Sequence, residues 1–131
     1  MNAYGTLLKK LIRFTNIKLT NLAEIVGYDT SYISKWCNKG KLPAAKAAPN
    51  VNKCLADVFA REIVIQEEAT LFAAEFNASG PYDESSLSST IFQLLKDAYK
   101  RSYDNTSENA QLAGLSSQRM LLWQLDIKNF F

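Results

Sequence analysis

LTNLAEIVGYDTSYISKW, residues 19–36, decides how this chain is read. Leu22, Ala23 and Val26 recur at helical spacing and predict a first short helix. Gly27 stands where that helix must stop and turn, a position that favours positive φ. Asp29 is placed to cap the next helix. Ile33, Trp36 and Cys37 then follow at spacings of three and four, so a second helix over 30–38 buries one face. The pattern is that of two short helices joined by a tight turn, the second polar on its outer side.

With Ile33 at the centre of the buried side, Ser31, Lys35 and Asn38 point the other way. Tyr32 and Ser34 flank them, and Thr30 begins the helix. Such a face suits the DNA major groove, where the first residues of a helix reach base edges. Thr30, Ser31, Tyr32 and Lys35 are therefore the candidate base contacts. Lysine donates to guanine O6 or N7, hydroxyls pair with several edges, and a tyrosine ring meets a thymine methyl. Lys18 and Thr20, at the start of the first helix, are candidate phosphate contacts. Asn38, Lys39 and Lys41 join them from the exit of the second helix. Main-chain N–H groups of the loop from Asn38 to Pro43 are expected to add to that clamp. The bland alternatives are a phosphate-only contact for Lys35, a solvated lysine for each of Lys18, Lys39 and Lys41, and a core-covering role for Tyr32.

These residues resemble the helix-turn-helix of bacterial and phage repressors, in the xenobiotic-response-element-like family. Ala23 matches the small residue that lets the two helices approach, and Gly27 the turn glycine. Tyr28 matches the partly buried residue after it, and Ile33 and Trp36 the core positions of the recognition helix. NKGKLP, residues 38–43, resembles the basic, glycine-containing exit. The likeness covers about residues 4–66. Trp36–Cys37 and the alanine-rich stretch 42–50 depart from the family pattern. The resemblance implies an all-α fold, a five-helix repressor-like domain with a mainly helical C-terminal extension. It implies sequence-specific binding of double-stranded DNA and repression by operator occupancy.

Charge supports that division. Residues 1–66 hold ten Lys or Arg against four acids, a net +6; residues 67–131 hold five against nine, a net −4. A basic front fits a nucleic-acid-binding head, residues 1–66, and an acidic rear fits another task, residues 67–131. An anionic membrane is the other partner a basic patch suits, but no exposed apolar stripe accompanies it. No run approaches the length of a membrane span, and the N-terminus has no long apolar region, so a cytoplasmic protein is expected. Cys37 and Cys54 are isolated thiols in helical patterns, and the chain contains no histidine. Neither a disulfide nor a metal centre nor any other cofactor is expected.

Helices are predicted throughout. The first spans about 3–14, with Leu7, Leu8, Leu11 and Ile12 inward. Asn50 is a candidate cap for a helix over 51–62, and residues 63–76 read as its continuation. NASGPYD, 77–83, ends it. Ser85 or Ser86 then begins an amphipathic helix to about Tyr103, with Leu87, Ile91, Leu94, Leu95, Ala98 and Tyr99 on its apolar face. Residues 104–107 read as a turn, and Thr106 as the cap of a short helix at 107–113. QRMLLWQLDIKNFF, at the end, fits helix or strand.

Two functions compete with DNA binding. One is a protein-interaction or regulatory head of a larger signalling or mobile-element protein, or an antitoxin-type regulator. The other is an enzyme, which the residues disfavour: without histidine there is no His-based relay, and no phosphate-binding glycine loop is present. The apolar surplus of residues 67–131 is read as a homodimer contact or sensor link, with completion of one monomeric core as the alternative.

Overall fold

The computed structural model describes residues 2–114, with side chains over residues 2–104. Six helices and no strands make up the described residues: α1 (Ala3–Thr15), α2 (Leu19–Val26), α3 (Thr30–Asn38), α4 (Ala48–Ile65), α5 (Ala69–Phe76) and α6 (Glu84–Gly114). The described residues are thus all-α, and α1, α2 and α3 fall where their periodicity predicts. None of the described helices is long and apolar enough to cross a membrane.

α4 forms the axis of the fold. Val51, Leu55, Ala56, Val58, Phe59, Ala60 and Ile63 are all buried, so apolar residues spread around much of its circumference. A helix buried on several sides needs partners on several sides. α1, α2, α5 and α6 pack against it, and α3 packs against α1 and α2. Phe14 of α1 meets the stacked pair Phe72 and Phe76 of α5 edge-on, with ring centroids 6.1 and 5.6 Å away.

Four element boundaries differ from the sequence reading. α4 starts at Ala48, not after Asn50, because Pro49 fits its first turn. A proline there forfeits no helical hydrogen bond and has its φ already set. Residues 63–76 are not one helix. Glu67 adopts φ +53°, and Glu68 N–H donates to the Ile63 carbonyl at 3.0 Å, which closes α4. That left-handed closure is usually a glycine's task, so a glutamate there leaves no trace in the pattern. α6 starts at Glu84, where Asp83 Oδ2 accepts from Ser86 N–H at 3.2 Å. It then runs unbroken to Gly114, so the turn at 104–107 and the Thr106 cap are replaced by continuous helix. The reading of residues 118–131 lies outside the described residues.

α6 is part of the same core as α1 and α4. Leu87, Ile91, Leu95 and Ala98 are buried in one cluster with Tyr4, Leu8, Leu55 and Phe59. Buried polar groups add direction to this packing. Tyr4 N–H, one of the orphan donors at the start of α1, donates to Ser102 Oγ at 2.9 Å. Tyr4 Oη donates to Asn52 Oδ1 at 2.7 Å, and Tyr99 Oη to the Pro43 carbonyl at 2.8 Å. The chain's front and rear are therefore tied by hydrogen bonds as well as by apolar contact.

Candidate nucleic-acid interface

The turn between α2 and α3 is built as its glycine requires. Gly27 sits at φ +79°, and Gly27 and Tyr28 N–H both donate to the Ala23 carbonyl, at 2.9 and 3.0 Å. A residue with a β-carbon pays a steric penalty at that φ. Leu22 and Ala23 of α2 and Ile33, Trp36 and Cys37 of α3 are buried, which fixes the rotation of α3 about its axis. Burial holds the Cys37 thiol above its ordinary pKa, against a smaller opposite pull from Lys9.

Rotation set in this way exposes Ser31, Tyr32, Lys35 and Asn38 on one side of α3, with Thr30 and Ser34 half-buried beside them. Tyr32 is 52% exposed although aromatic. Its ring packs edge-on against Tyr28, 5.6 Å away, and Tyr28 in turn meets Trp36 at 5.2 Å. This aromatic ladder runs from the core to the surface and holds Tyr32 upright. Lys35 Nζ lies 5.8 Å from the Tyr32 ring centroid, so the two foremost candidates form one cation–π pair.

Asp29 precedes α3 with extended backbone, but its side chain caps no backbone N–H. Its carboxylate accepts instead from Ser31 Oγ, at a long 3.4 Å. The expected cap is thus absent, because the carboxylate is turned to a neighbouring side chain. Ser31 is consequently shared between the outer face and Asp29.

The exit loop also departs from the expectation. Lys39 and Lys41 are exposed, as expected for phosphate contacts. Their backbone N–H groups, however, both donate to the Lys35 carbonyl, at 2.9 and 3.3 Å. Anion contact at these two residues therefore falls to the ammonium groups. Gly40, at φ +71°, makes the bend, and its carbonyl accepts from Asn2 Nδ2 at 3.1 Å. Lys18 and Thr20 stand at the other end of α2, exposed, at a helix N-terminus that no side chain caps. Not every cation of the basic half is free for such work. Lys10 Nζ donates to the Glu75 carbonyl at 3.0 Å and lies 4.5 Å from the Phe76 ring centroid, tying α1 to α5.

One structural residue escaped the sequence reading. Gly5 lies inside α1, where glycine ordinarily only weakens a helix. A β-carbon there would sit 2.5 Å from the Trp36 carbonyl oxygen and 3.1 Å from that of Cys37. Gly5 is the point at which α1 crosses the C-terminal end of α3. The only sequence trace of this is a glycine among the apolar residues of a helix.

No protein-family model, no curated protein and no solved structure matches the chain.

Proposed function

We propose that this protein binds double-stranded DNA in a sequence-specific manner, with α3 as the recognition helix of a repressor-like helix-turn-helix. The observation that carries the proposal is the outer face of α3. A helix whose buried side is locked by Ile33, Trp36 and Cys37 presents hydroxyl, phenol and ammonium groups together, behind a turn built on Gly27. Lys35 and Tyr32 read base edges as a pair, and Thr30 and Ser31 contribute from the first turn. Lys18, Thr20, Asn38, Lys39 and Lys41 hold the backbone on either side. Occupancy of an operator excludes other proteins from the same duplex, which is repression in its simplest form.

One such helix reads few base pairs. Two copies on a palindrome, with half-sites about 34–36 Å apart, would double the contacts. The apolar face of α6 is not the pairing surface, because Leu87, Ile91, Leu95 and Ala98 are buried within the protein. Selection of bound duplexes from a random pool tests the proposal, followed by titration of the enriched sequence at several salt concentrations. Each phosphate neutralised by Lys18, Lys39 or Lys41 should add about −0.9 to the log–log salt slope. A pool that gains no sequence preference over successive rounds would overturn it.

A further inference from the structure

A cavity of about 260 Å³ opens between the start of α4 and the middle of α6. Its walls are largely apolar, from Ala45, Ala48, Pro49 and the ring of Phe92. Asn52, Lys96 and Tyr99 supply the polar lining, and no acid joins them.

Asn52 is only 3% exposed. Its Oδ1 accepts from Tyr4 Oη, but its amide nitrogen has no hydrogen-bond partner among the described residues. An unpaired buried donor is costly, so it favours any acceptor that enters. Lys96 is exposed and makes no ion pair among the described residues. Tyr99 spends its proton on the Pro43 carbonyl, and burial keeps that proton in place. The start of α4 also lies here, but the Ala48 N–H donates to the Ala44 carbonyl at 2.9 Å and Pro49 has no N–H, so anion contact falls to the side chains.

Two donors of different kinds and an apolar wall select one ligand chemistry. We propose that the cavity binds a small monocarboxylate with an apolar body, its carboxylate held by Lys96 and the Asn52 amide and its body against Phe92. A single flexible ammonium suits one negative charge better than the higher charge of a phosphate ester. The apolar walls exclude a fully polar anion. This site does not depend on the DNA reading, since it is assayed on the free protein.

The test is an amide NMR titration of the full chain with phenylacetate and with hexanoate, phenylacetamide serving as the neutral match. Saturable shifts at Val51, Asn52, Lys96 and Tyr99 with at least one acid are expected. Lys96→Gln should weaken acid binding about tenfold, the order expected for a lost charge-assisted hydrogen bond, and leave phenylacetamide unchanged. Ala45→Trp should abolish binding of both acids, because Ala45 is exposed at the cavity rim and a larger side chain there fills the space without entering the core. Thermal unfolding of each variant checks that it is folded. If neither acid produces saturable shifts at these amides up to about 10 mM, the cavity holds water alone and the proposal is wrong. It is equally wrong if Lys96→Gln or Ala45→Trp, while folded, binds the acids as tightly as the parent.

Discussion

Replacing Gly5 with alanine sets two effects of known size against each other. Within a helix the change normally stabilises by about 1 kcal/mol, because alanine loses less backbone entropy. Here the new β-carbon would lie 2.5 Å from the Trp36 carbonyl oxygen. A carbon and a carbonyl oxygen pack no closer than about 3.3 Å, so α1 and α3 must part by roughly 0.8 Å. Overpacking of this kind costs about 1–3 kcal/mol when neighbours cannot yield. The neighbours are poorly placed to yield, since the other atom is backbone. The start of α1 is also pinned by Tyr4 N–H on Ser102 of α6 and by Asn2 Nδ2 on the Gly40 carbonyl just past α3. Sliding α1 away would strain both bonds, each worth about 1 kcal/mol. The expected result for Gly5→Ala is a net loss of about 1–2 kcal/mol in urea unfolding, opposite in sign to the propensity effect. Thr6→Ala, one position on and exposed, is the control and should gain a few tenths. A Gly5→Ala protein as stable as the parent, beside a control that behaves as expected, would refute the crossing of α1 over the end of α3.

Gly27 has open space around it, so its constraint is φ alone: Gly27→Val should lose at least about 1 kcal/mol, while Gly27→Asn, which tolerates the left-handed region, should lose much less. Equal unfolding midpoints for the two would remove the argument from φ. On DNA, Lys35→Ala should cost about 1–3 kcal/mol on the selected sequence and little on random duplex. Lys39→Ala and Lys41→Ala should weaken both alike and each lower the salt slope by about one unit, as read by fluorescence anisotropy. Tyr4→Phe leaves Asn52 Oδ1 unpaired in the core and should cost about 1–3 kcal/mol. Burial raises the Tyr4 phenol above its ordinary value of 10, so its stabilisation is intact below pH 10 and lost as pH rises beyond it; Tyr4→Phe should flatten that alkaline loss. Asp57 is shifted the other way, chiefly by the hydrogen bond from Ser88, so its contribution is present above the ordinary value of 3.8 and fades as pH falls through its lowered one. Asp57→Asn should make acid unfolding less steep, by a small amount because the carboxylate is half-exposed.

What could be read in the sequence was local pattern with a residue signature; what could not was backbone geometry without one, or tertiary contact. Gly27 was legible because a turn after an apolar helix stripe calls for a glycine, and the burial of Ile33, Trp36 and Cys37 follows from spacing alone. The break at Glu67 was not, because a non-glycine residue in the left-handed region has no signature. Pro49 falls inside α4, ahead of the predicted cap Asn50, because the first turn of a helix accepts proline. Gly5 was missed because its reason lies in a carbonyl from another helix. Asn52 and Ser102 read as ordinary polar positions on helices. Their burial is decided by Tyr4, which approaches from a distant part of the chain.

The charge pattern illustrates the same divide. A +6 front and a −4 rear suggested a head and a separate extension, yet α6 contributes Leu87, Ile91, Leu95 and Ala98 to the core that α1 and α4 share. Charge is carried by outward faces, and outward faces do not report what lies beneath them. The acids of the rear half can therefore sit on α6 while its inner stripe completes the front half's core. Asp57 of α4 even takes its hydrogen bond from Ser88 of α6, across that supposed boundary. An amphipathic helix announces that it needs a partner but not which one. In this fold the partners are α4 and α1. Whatever surface α3 presents to a ligand is thus held in place by residues on both sides of the charge divide, because α6 braces α4 and caps the start of α1, and α1 in turn crosses the end of α3 at Gly5.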